Sequence, residues 1–302
     1  MKIDFIGDIH GHADELKALL IDLGYNKTNG FYSHPEGRKV IFVGDFIDRG
    51  PQIIETLEVV KAMCDNGTAK AVMGNHEYNA ILFHTKNEKS GNYYRKHGEK
   101  EIHQHHKTLE EFKDKTEEWN EYIEWFKTLP LFIETENYRV VHAYWNRNHV
   151  EFIKNNPIHW NDEWLEKVTK KGSKEYQVVE DLLKGKEYEV TDGHHFYDAD
   201  NVKRNHCRIK WWYSTTGFLT HDEYLIDCPT SLKGIEFIGI IEEIPTDKPI
   251  FFGHYWLKDD NPEISNSNAI CLDYSVAKNG HLASYSLDTN ILKIQKCFKK
   301  II

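Results

Sequence analysis

These 302 residues contain little that points to export, membranes or a polyanion-binding surface. No run of about 18 apolar residues occurs, so a membrane-spanning helix is not expected. The amino terminus enters a strand-like run within its first few residues, without the basic region and apolar core of a signal peptide. Cysteine is scarce and odd in number: Cys64, Cys207, Cys228, Cys271 and Cys297 are widely spaced and lack a C-x-x-C pair. That argues against both a disulfide framework and a thiolate zinc site, and makes a reducing cytoplasm the default compartment. Basic excess is missing too. Lys and Arg number 38 against 48 Asp and Glu, a net charge of −10 with a pI near 6.0, which disfavours nucleic-acid binding through general positive charge. A small-molecule or protein substrate fits better.

What is present is a series of short apolar runs, each ending on a residue that can bind a metal. Ile3, Phe5 and Ile6 lead into Gly7, Asp8, Ile9, His10 and Gly11. Val40 to Val43 deliver Gly44, Asp45, Phe46, Ile47, Asp48, Arg49 and Gly50, and Ala71 to Met73 deliver Gly74, Asn75, His76 and Glu77. Val140 and Val141 end on His142, and Ile250 to Phe252 end on Gly253 and His254. Short β-branched or aromatic runs stopped by glycine predict buried strands of an α/β sheet, whose ligands collect in loops beyond the carboxyl ends.

Between those loops the pattern is that of βαβ units. Leu16, Leu19, Leu20 and Leu23 have helical spacing and Gly24 suits a C-cap. Pro51 suits the first turn of a second helix carrying Ile54, Leu57 and Val60, which Asn66-Gly67 ends. A length of 302 is compatible with two domains or one, and the order of the runs favours a single domain over 1–302 with two insertions. The first, at about 85–129, is polar but places Trp119, Tyr122, Ile123, Trp125, Phe126 and Leu129 at helical intervals. The second, at about 146–233, loses the alternation and reads as an irregular, cap-like excursion. An antiparallel meander is expected at the end, from Ala269 to Leu272, His281 to Leu287 after Asn279-Gly280, and Ile291 to Ile294.

Asp8 and His10 can offer an oxygen and an imidazole nitrogen to one cation. Asp45 adds a carboxylate able to bridge two, and Asn75, His142 and His254 supply further ligands from separate strand ends. A mixed oxygen and nitrogen set without thiolate suits transition ions rather than calcium or an iron–sulfur cluster. Two ions roughly 3.5–4 Å apart would clamp a phosphoryl group and acidify a bridging water, making hydroxide available as the nucleophile. Arg49 offers a planar fork for phosphate oxygens, and His76, oriented by Asp48, can protonate the leaving oxygen.

These motifs resemble the calcineurin-like metallophosphoesterases. The Asp-Arg-Gly and Asn-His-Glu forms are similar to the phosphoprotein phosphatase branch, which includes Ser/Thr protein phosphatases and symmetrical dinucleoside tetraphosphatases. The resemblance implies a four-layer αββα sandwich and a dinuclear centre, with Asp8, His10 and Asp45 on one ion and Asp45, Asn75, His142 and His254 on the other. It also implies phosphate binding by Arg49 and Asn75 and a general-acid role for His76 paired with Asp48. Manganese is the first expectation for both divalent ions, with iron, zinc, cobalt and nickel as alternatives. Where that branch usually has Gly-Gly after the third-strand histidine, this chain has Ala143, Tyr144 and Trp145, and a second phosphate-binding arginine would come from Arg147, Arg204 or Arg208.

The expected function is therefore metal-dependent phosphomonoester hydrolysis on a small molecule, nucleotide or phosphoprotein. Alternatives are a symmetrical dinucleoside tetraphosphatase, a nucleic-acid-end phosphatase or phosphodiesterase, and a non-catalytic phosphate-binding scaffold. Taken singly, each Asp-x-His or Gly-Asp would read as ordinary turn chemistry, and His142 and His254 as core histidines; five ordered matches reverse this. His103, His105 and His106 read as a solvated helix face, His194-His195 likewise, and His12 as a helix cap. Trp211-Trp212 read as core of the excursion rather than a base-stacking platform, although the excursion's aromatic and basic residues, these two with Arg204 and Arg208, are the first candidates for substrate selectivity. No role is assigned to Cys271–Ser275.

Overall fold

The computed structural model describes residues 2–190, 194–197, 203–213, 219–241, 243–245, 247–258 and 268–288. Eight strands build two central sheets: β1 (Lys2–Ile6), β2 (Lys39–Phe42), β3 (Ala69–Ala71), β4 (Phe132–Glu134), β5 (Arg139–Val141), β6 (Ile250–Phe252), β7 (Ala269–Cys271) and β8 (Ser284–Asp288). The first sheet has the order β8-β1-β2-β3 and the second β7-β6-β5-β4. Strands β1, β2 and β3 are mutually parallel, as are β5, β6 and β7, while β8 and β4 run antiparallel at the edges.

Side-chain alternation explains why these runs are apolar throughout. Phe5, Ile41, Val140, Phe251, Ile270 and Tyr285 fill the space between the sheets, with the rings of Phe5 and Phe251 stacked at 3.6 Å between centroids. Their neighbours Ile6, Phe42, Val141 and Phe252 turn the other way into a second core beneath the helices. A parallel strand covered on both faces has no solvent side on which to place polar residues.

Helices α1 (Ala13–Asp22) and α2 (Ile53–Asp65) follow β1 and β2, as a right-handed βαβ crossover requires. Gly24 takes φ +94° just beyond α1, and α2 begins two residues after Pro51 rather than on it. Helix α3 (Asn75–His84) starts on the third loop. The first insertion forms α4 (Glu99–Glu111) and α5 (Thr116–Thr128), with Trp119, Tyr122, Ile123, Trp125 and Phe126 buried. Glu111 at the end of α4 accepts from the backbone amides of Ile53 and Ile54, so the insertion caps α2.

The second insertion differs from the expected irregular cap. It opens with three regular helices, α6 (Arg147–Asn155), α7 (Asp162–Thr169) and α8 (Lys174–Lys184). Asn146, Asn161 and Ser173 each cap one of them through a side-chain oxygen. The stretch is therefore a structural layer. Ala143 donates its amide to Leu182 O, Trp211 donates its indole N–H to Ala143 O, and Trp211 and Trp212 pack on Phe252. With α1 and α2 outside the first sheet, this completes an αββα sandwich.

The closing strands are also not one meander. β7 is parallel to β6, Asp273–Tyr274 pairs with His281–Leu282 as a separate hairpin, and β8 crosses to the first sheet beside β1. The expected strand Ile291–Ile294 lies outside the described residues.

Candidate active site

The loops beyond β1, β2, β3, β5 and β6 meet at one place because their backbones are hydrogen-bonded to each other. His10 N donates to Asp45 O, Gly11 N to Phe46 O, Gly50 N to His10 O, and Gly253 N to His142 O, all between 2.8 and 2.9 Å. Two glycines permit this closeness sterically rather than through an unusual φ. A Cβ on Gly74 would overlap Asp45 Oδ1, and one on Gly253 would overlap Asp8 Oδ1. The side chains themselves are aimed by a strained backbone: His10, Asp45, Asp48, Arg49, His254 and Trp256 all have φ between 47° and 74°. Non-glycine residues enter that region at a cost of about 1–3 kcal/mol each and persist where the surroundings over-determine them.

Asp45 is the centre of the arrangement. Its Oδ2 lies 3.5 Å from His10 Nε2, 3.4 Å from His142 Nε2 and 3.9 Å from His76 Nε2, and its Oδ1 accepts from His76 N at 3.0 Å. Two groups with metal-ligand spacing share it, His10–Asp45–His76 and Asp45–His142–His254. Asn75 Oδ1 is 3.0 Å from His142 Nε2 and 2.8 Å from His254 Nδ1. Asp8 belongs to neither group but borders them, its Oδ2 accepting from His254 N at 3.0 Å. Thus six expected ligands and His76 are brought together.

The tautomers can be assigned from the acceptors. His10 Nδ1 faces Ile47 O and His142 Nδ1 faces Val43 O, and a carbonyl can only accept. Both rings therefore carry a proton on Nδ1 and turn Nε2 toward Asp45, the orientation found in metal-binding histidines. Burial, followed by the neighbouring His76, pushes His10 down to about 3, so it is neutral. At His142 burial acts in the same direction, but the Asp45 carboxylate outweighs it and raises the group to about 10. The pull that Asp45 exerts on a proton at Nε2 is the pull it would exert on a cation there.

Glu77, named in the third motif without a role, holds the loops in register. Its carboxylate accepts from the backbone amides of Asp45, Phe46 and Gly74 at 2.8–2.9 Å. Burial, then the charge of Asp45, raises it to about 7. Asp273 is equally buried and accepts from Trp256 N and Ser275 N. It places Trp256, whose ring lies 3.9 Å from the guanidinium carbon of Arg49 and 3.6 Å from Lys278 Nζ. Arg49 is thereby stacked on an aromatic face beside His76, with 3.4 Å between Nη2 and Nε2.

Of the arginines considered for a second phosphate contact, Arg208 and Arg204 line the space above the site, whereas Arg147 begins α6 and lines neither cavity there. One cavity, of about 550 Å³, is bounded by Arg49, His76, Arg95, Lys184, Arg208 and their neighbours. The other, of about 380 Å³, adds Arg204, Trp256 and Lys278. Trp211 and Trp212 are 1% and 8% exposed and lie beneath this surface, so they are not available to substrate. His105 is another correction. It is not on a solvated face but buried, with Nδ1 2.7 Å from Asp48 Oδ1, while His103 and His106 are exposed as expected.

The family model for calcineurin-like phosphoesterase matches residues 1–213. A bis(5'-nucleosyl)-tetraphosphatase PrpE of Oceanobacillus iheyensis, named as asymmetrical, is 34% identical over 144 residues, 48% of this chain and 56% of that protein. The protein of the same name from Geobacillus sp. strain WCH70 is 51% identical over 76 residues, 25% of this chain and 31% of that one. The chain thus spans about half or less of the length of these curated relatives. A serine/threonine phosphatase of Saccharomyces cerevisiae covers 98% of this chain and 76% of its own at a TM-score of 0.50 and 14% identity, a likeness of fold. The matched span includes four of the five loops that converge here, and His254 joins them in space from beyond it. On that agreement of profile, fold and converging loops, the chain belongs to the calcineurin-like phosphoesterases.

Proposed function

We propose that the chain is a metal-dependent phosphoester hydrolase, a phosphomonoesterase first, built as one catalytic domain with two insertions. The observation that carries this is a pair of buried atoms: among the described residues, Asp8 Oδ1 and His10 Nε2 have no hydrogen-bond partner. Each such orphan costs about 1–3 kcal/mol, which a cation between them and Asp45 would remove. The donor set fits two divalent ions, manganese first, held by Asp8, His10 and Asp45 and by Asp45, Asn75, His142 and His254. When bound, such ions supply Lewis-acid polarisation of the phosphoryl group and acidify a water.

The rest is done by the chain. Arg49, pre-oriented on Trp256, binds two phosphate oxygens through its fork. Asn75 adds an amide donor. Asp48 accepts from His76 Nδ1, so in the imidazolium form Nε2 carries the second proton and gives it to the leaving oxygen, returning the ring to its neutral Nδ1–H state. Among the described residues Cys64, Cys207, Cys228 and Cys271 form no disulfide, and no helix is long and apolar enough to cross a membrane; a reducing, cytoplasmic setting stays the proposal from the cysteine spacing.

A second reading, dinucleoside tetraphosphate cleavage, is favoured by the cations lining the larger cavity, Arg95, Lys100, Lys184 and Arg208 beyond Arg49, which suit more than one phosphate. Symmetrical cleavage is the alternative that the sequence motifs suggest, whereas the relatives are named for the asymmetrical reaction. Manganese-supplemented assays of p-nitrophenyl phosphate and diadenosine tetraphosphate test both readings, with ADP alone marking symmetrical cleavage and AMP with ATP asymmetrical. A folded, metal-supplemented protein that hydrolyses neither, nor any other phosphoester, refutes the enzyme assignment.

A further inference from the structure

The dyad of His76 and Asp48 does not end at Asp48. His76 Nδ1 meets Asp48 Oδ2 at 2.5 Å, and the other oxygen, Oδ1, is held by His105 Nδ1 at 2.7 Å and Thr108 Oγ1 at 2.6 Å. Asp48 N in turn donates to Thr108 Oγ1 at 3.1 Å, so the threonine hydroxyl clips both ends of the residue. Asp48 is among the residues with left-handed backbone, at φ 68°, and is almost wholly buried.

An ionised carboxylate accepts only, so all three contacts must donate to it. His105 therefore carries its proton on Nδ1 and leaves Nε2 as an acceptor. His84 Nε2 lies 3.2 Å from that atom, so His84 donates to His105 and His105 to Asp48, while His76 donates to the same carboxylate from the other side; the network converges on Asp48. Rings of Phe83, His84 and Trp119 surround His105 at 5.3–5.8 Å between centroids and pack its ring in place. The donors come from α4, inside the first insertion, and the partner His84 ends α3.

We propose that His105, supported by His84 and assisted by Thr108, is a positioning residue for leaving-group protonation: it fixes the Asp48 carboxylate so that Oδ2 stays on His76 Nδ1 and His76 Nε2 stays aimed at the leaving oxygen. The inference rests on the proposed phosphoester hydrolysis. Although His105 borders the cavity, its ring nitrogens are engaged by Asp48 and His84, and neither is a proposed metal ligand, so its effect should appear only where the leaving group needs a proton.

The test compares kcat and KM on p-nitrophenyl phosphate and on an alkyl ester, glycerol phosphate, for manganese-loaded wild type, His105→Ala, His105→Asn and Thr108→Val, with His76→Asn as reference. Removal of a residue that orients a reacting group costs on the order of 10–100-fold. We expect that loss in kcat for His105→Ala on glycerol phosphate, less than about threefold loss on p-nitrophenyl phosphate, unchanged KM and metal content, and recovery in His105→Asn, whose amide can replace Nδ1–H. If His105→Ala does not fold, Thr108→Val must show the same split between the two esters. Equal losses on both esters, no loss on either, or loss accompanied by loss of metal overturns the positioning role. Wild type active on p-nitrophenyl phosphate without the split removes this inference alone, whereas inactivity on every phosphoester removes the underlying reading with it.

Discussion

Asp45 is the residue whose removal should be felt most widely, since three imidazoles and the backbone amide of His76 are arranged around its carboxylate. Asp45→Asn keeps the shape and removes the charge that both proposed ion positions share. Metal analysis should find two ions per chain in wild type and at most one in the variant, with the fold retained because Glu77 still holds the loop amides. Two tightly held ions in folded Asp45→Asn would end the bridging role. A second residue-scale consequence concerns acid. Burial, then the neighbouring His105, pushes His84 down to about 4, whereas in the unfolded chain it titrates near 6.5. The unfolded state takes up the proton first, so His84's share of stability is complete above about pH 6.5 and is lost as pH falls through 4. On the order of 1–3 kcal/mol should disappear across that window in urea unfolding of the metal-loaded protein. His84→Gln should flatten that dependence; an unaltered slope would show that His84 stays uncharged for other reasons.

At the scale of elements, legibility followed periodicity. The strands that carry the ligands were readable because apolar runs ending in Gly-Asp, Gly-Asn or a lone His leave few other arrangements, and α1 and α5 because their apolar residues recur at helical spacing. The helices of the second insertion were not read, although Asn146, Asn161 and Ser173 were available as caps, because three short amphipathic segments in a Lys- and Trp-rich stretch blur one another's period. His105 was misread for a related reason. Helix α4 is polar nearly all round, and its one buried face is made of His105 and Thr108, which no hydrophobic pattern marks. Glu77 stood within a motif, but its three amide contacts depend on loops distant in sequence. The same distinction between buried and exposed divides the aromatic and basic residues of the second insertion. Trp211→Ala removes a side chain packed on Phe252, Tyr144 and Ala143 O and should cost about 3–5 kcal/mol of stability, measured by urea unfolding, without a selective change among substrates. Arg208→Gln should do the opposite, leaving the melting temperature within a few degrees and altering selectivity. A destabilised Arg208→Gln and a stable, selectivity-altered Trp211→Ala would reverse these assignments.

At the scale of the whole molecule, a chain of net charge −10 gathers six cations around the cavity above the site. Arg49, Arg95, Lys100, Lys171, Lys184 and Arg208 face the larger cavity against Asp48, Glu101 and Glu187. Asp48 is already bonded to His76, His105 and Thr108. Arg95 is partly buried, its guanidinium bonded to the neutral Gln104 at 2.9 Å, and among the described residues no carboxylate lies within ion-pair distance of it. Glu101 and Asp48 act on Arg95 only at a distance, so a substrate anion that came into contact with it would be attracted, and within a chain of net negative charge this favours approach to the cavity. The attraction scales with substrate charge. Arg95→Gln should therefore raise KM for a tetraphosphate substrate by roughly 10-fold or less while changing that for p-nitrophenyl phosphate by less than about 2-fold, and raising the salt concentration should weaken the first substrate more than the second. Equal KM changes for both substrates would mean that Arg95 shapes the cavity wall and does not meet a second phosphate, which would leave the phosphomonoester reading as the better account of the cavity.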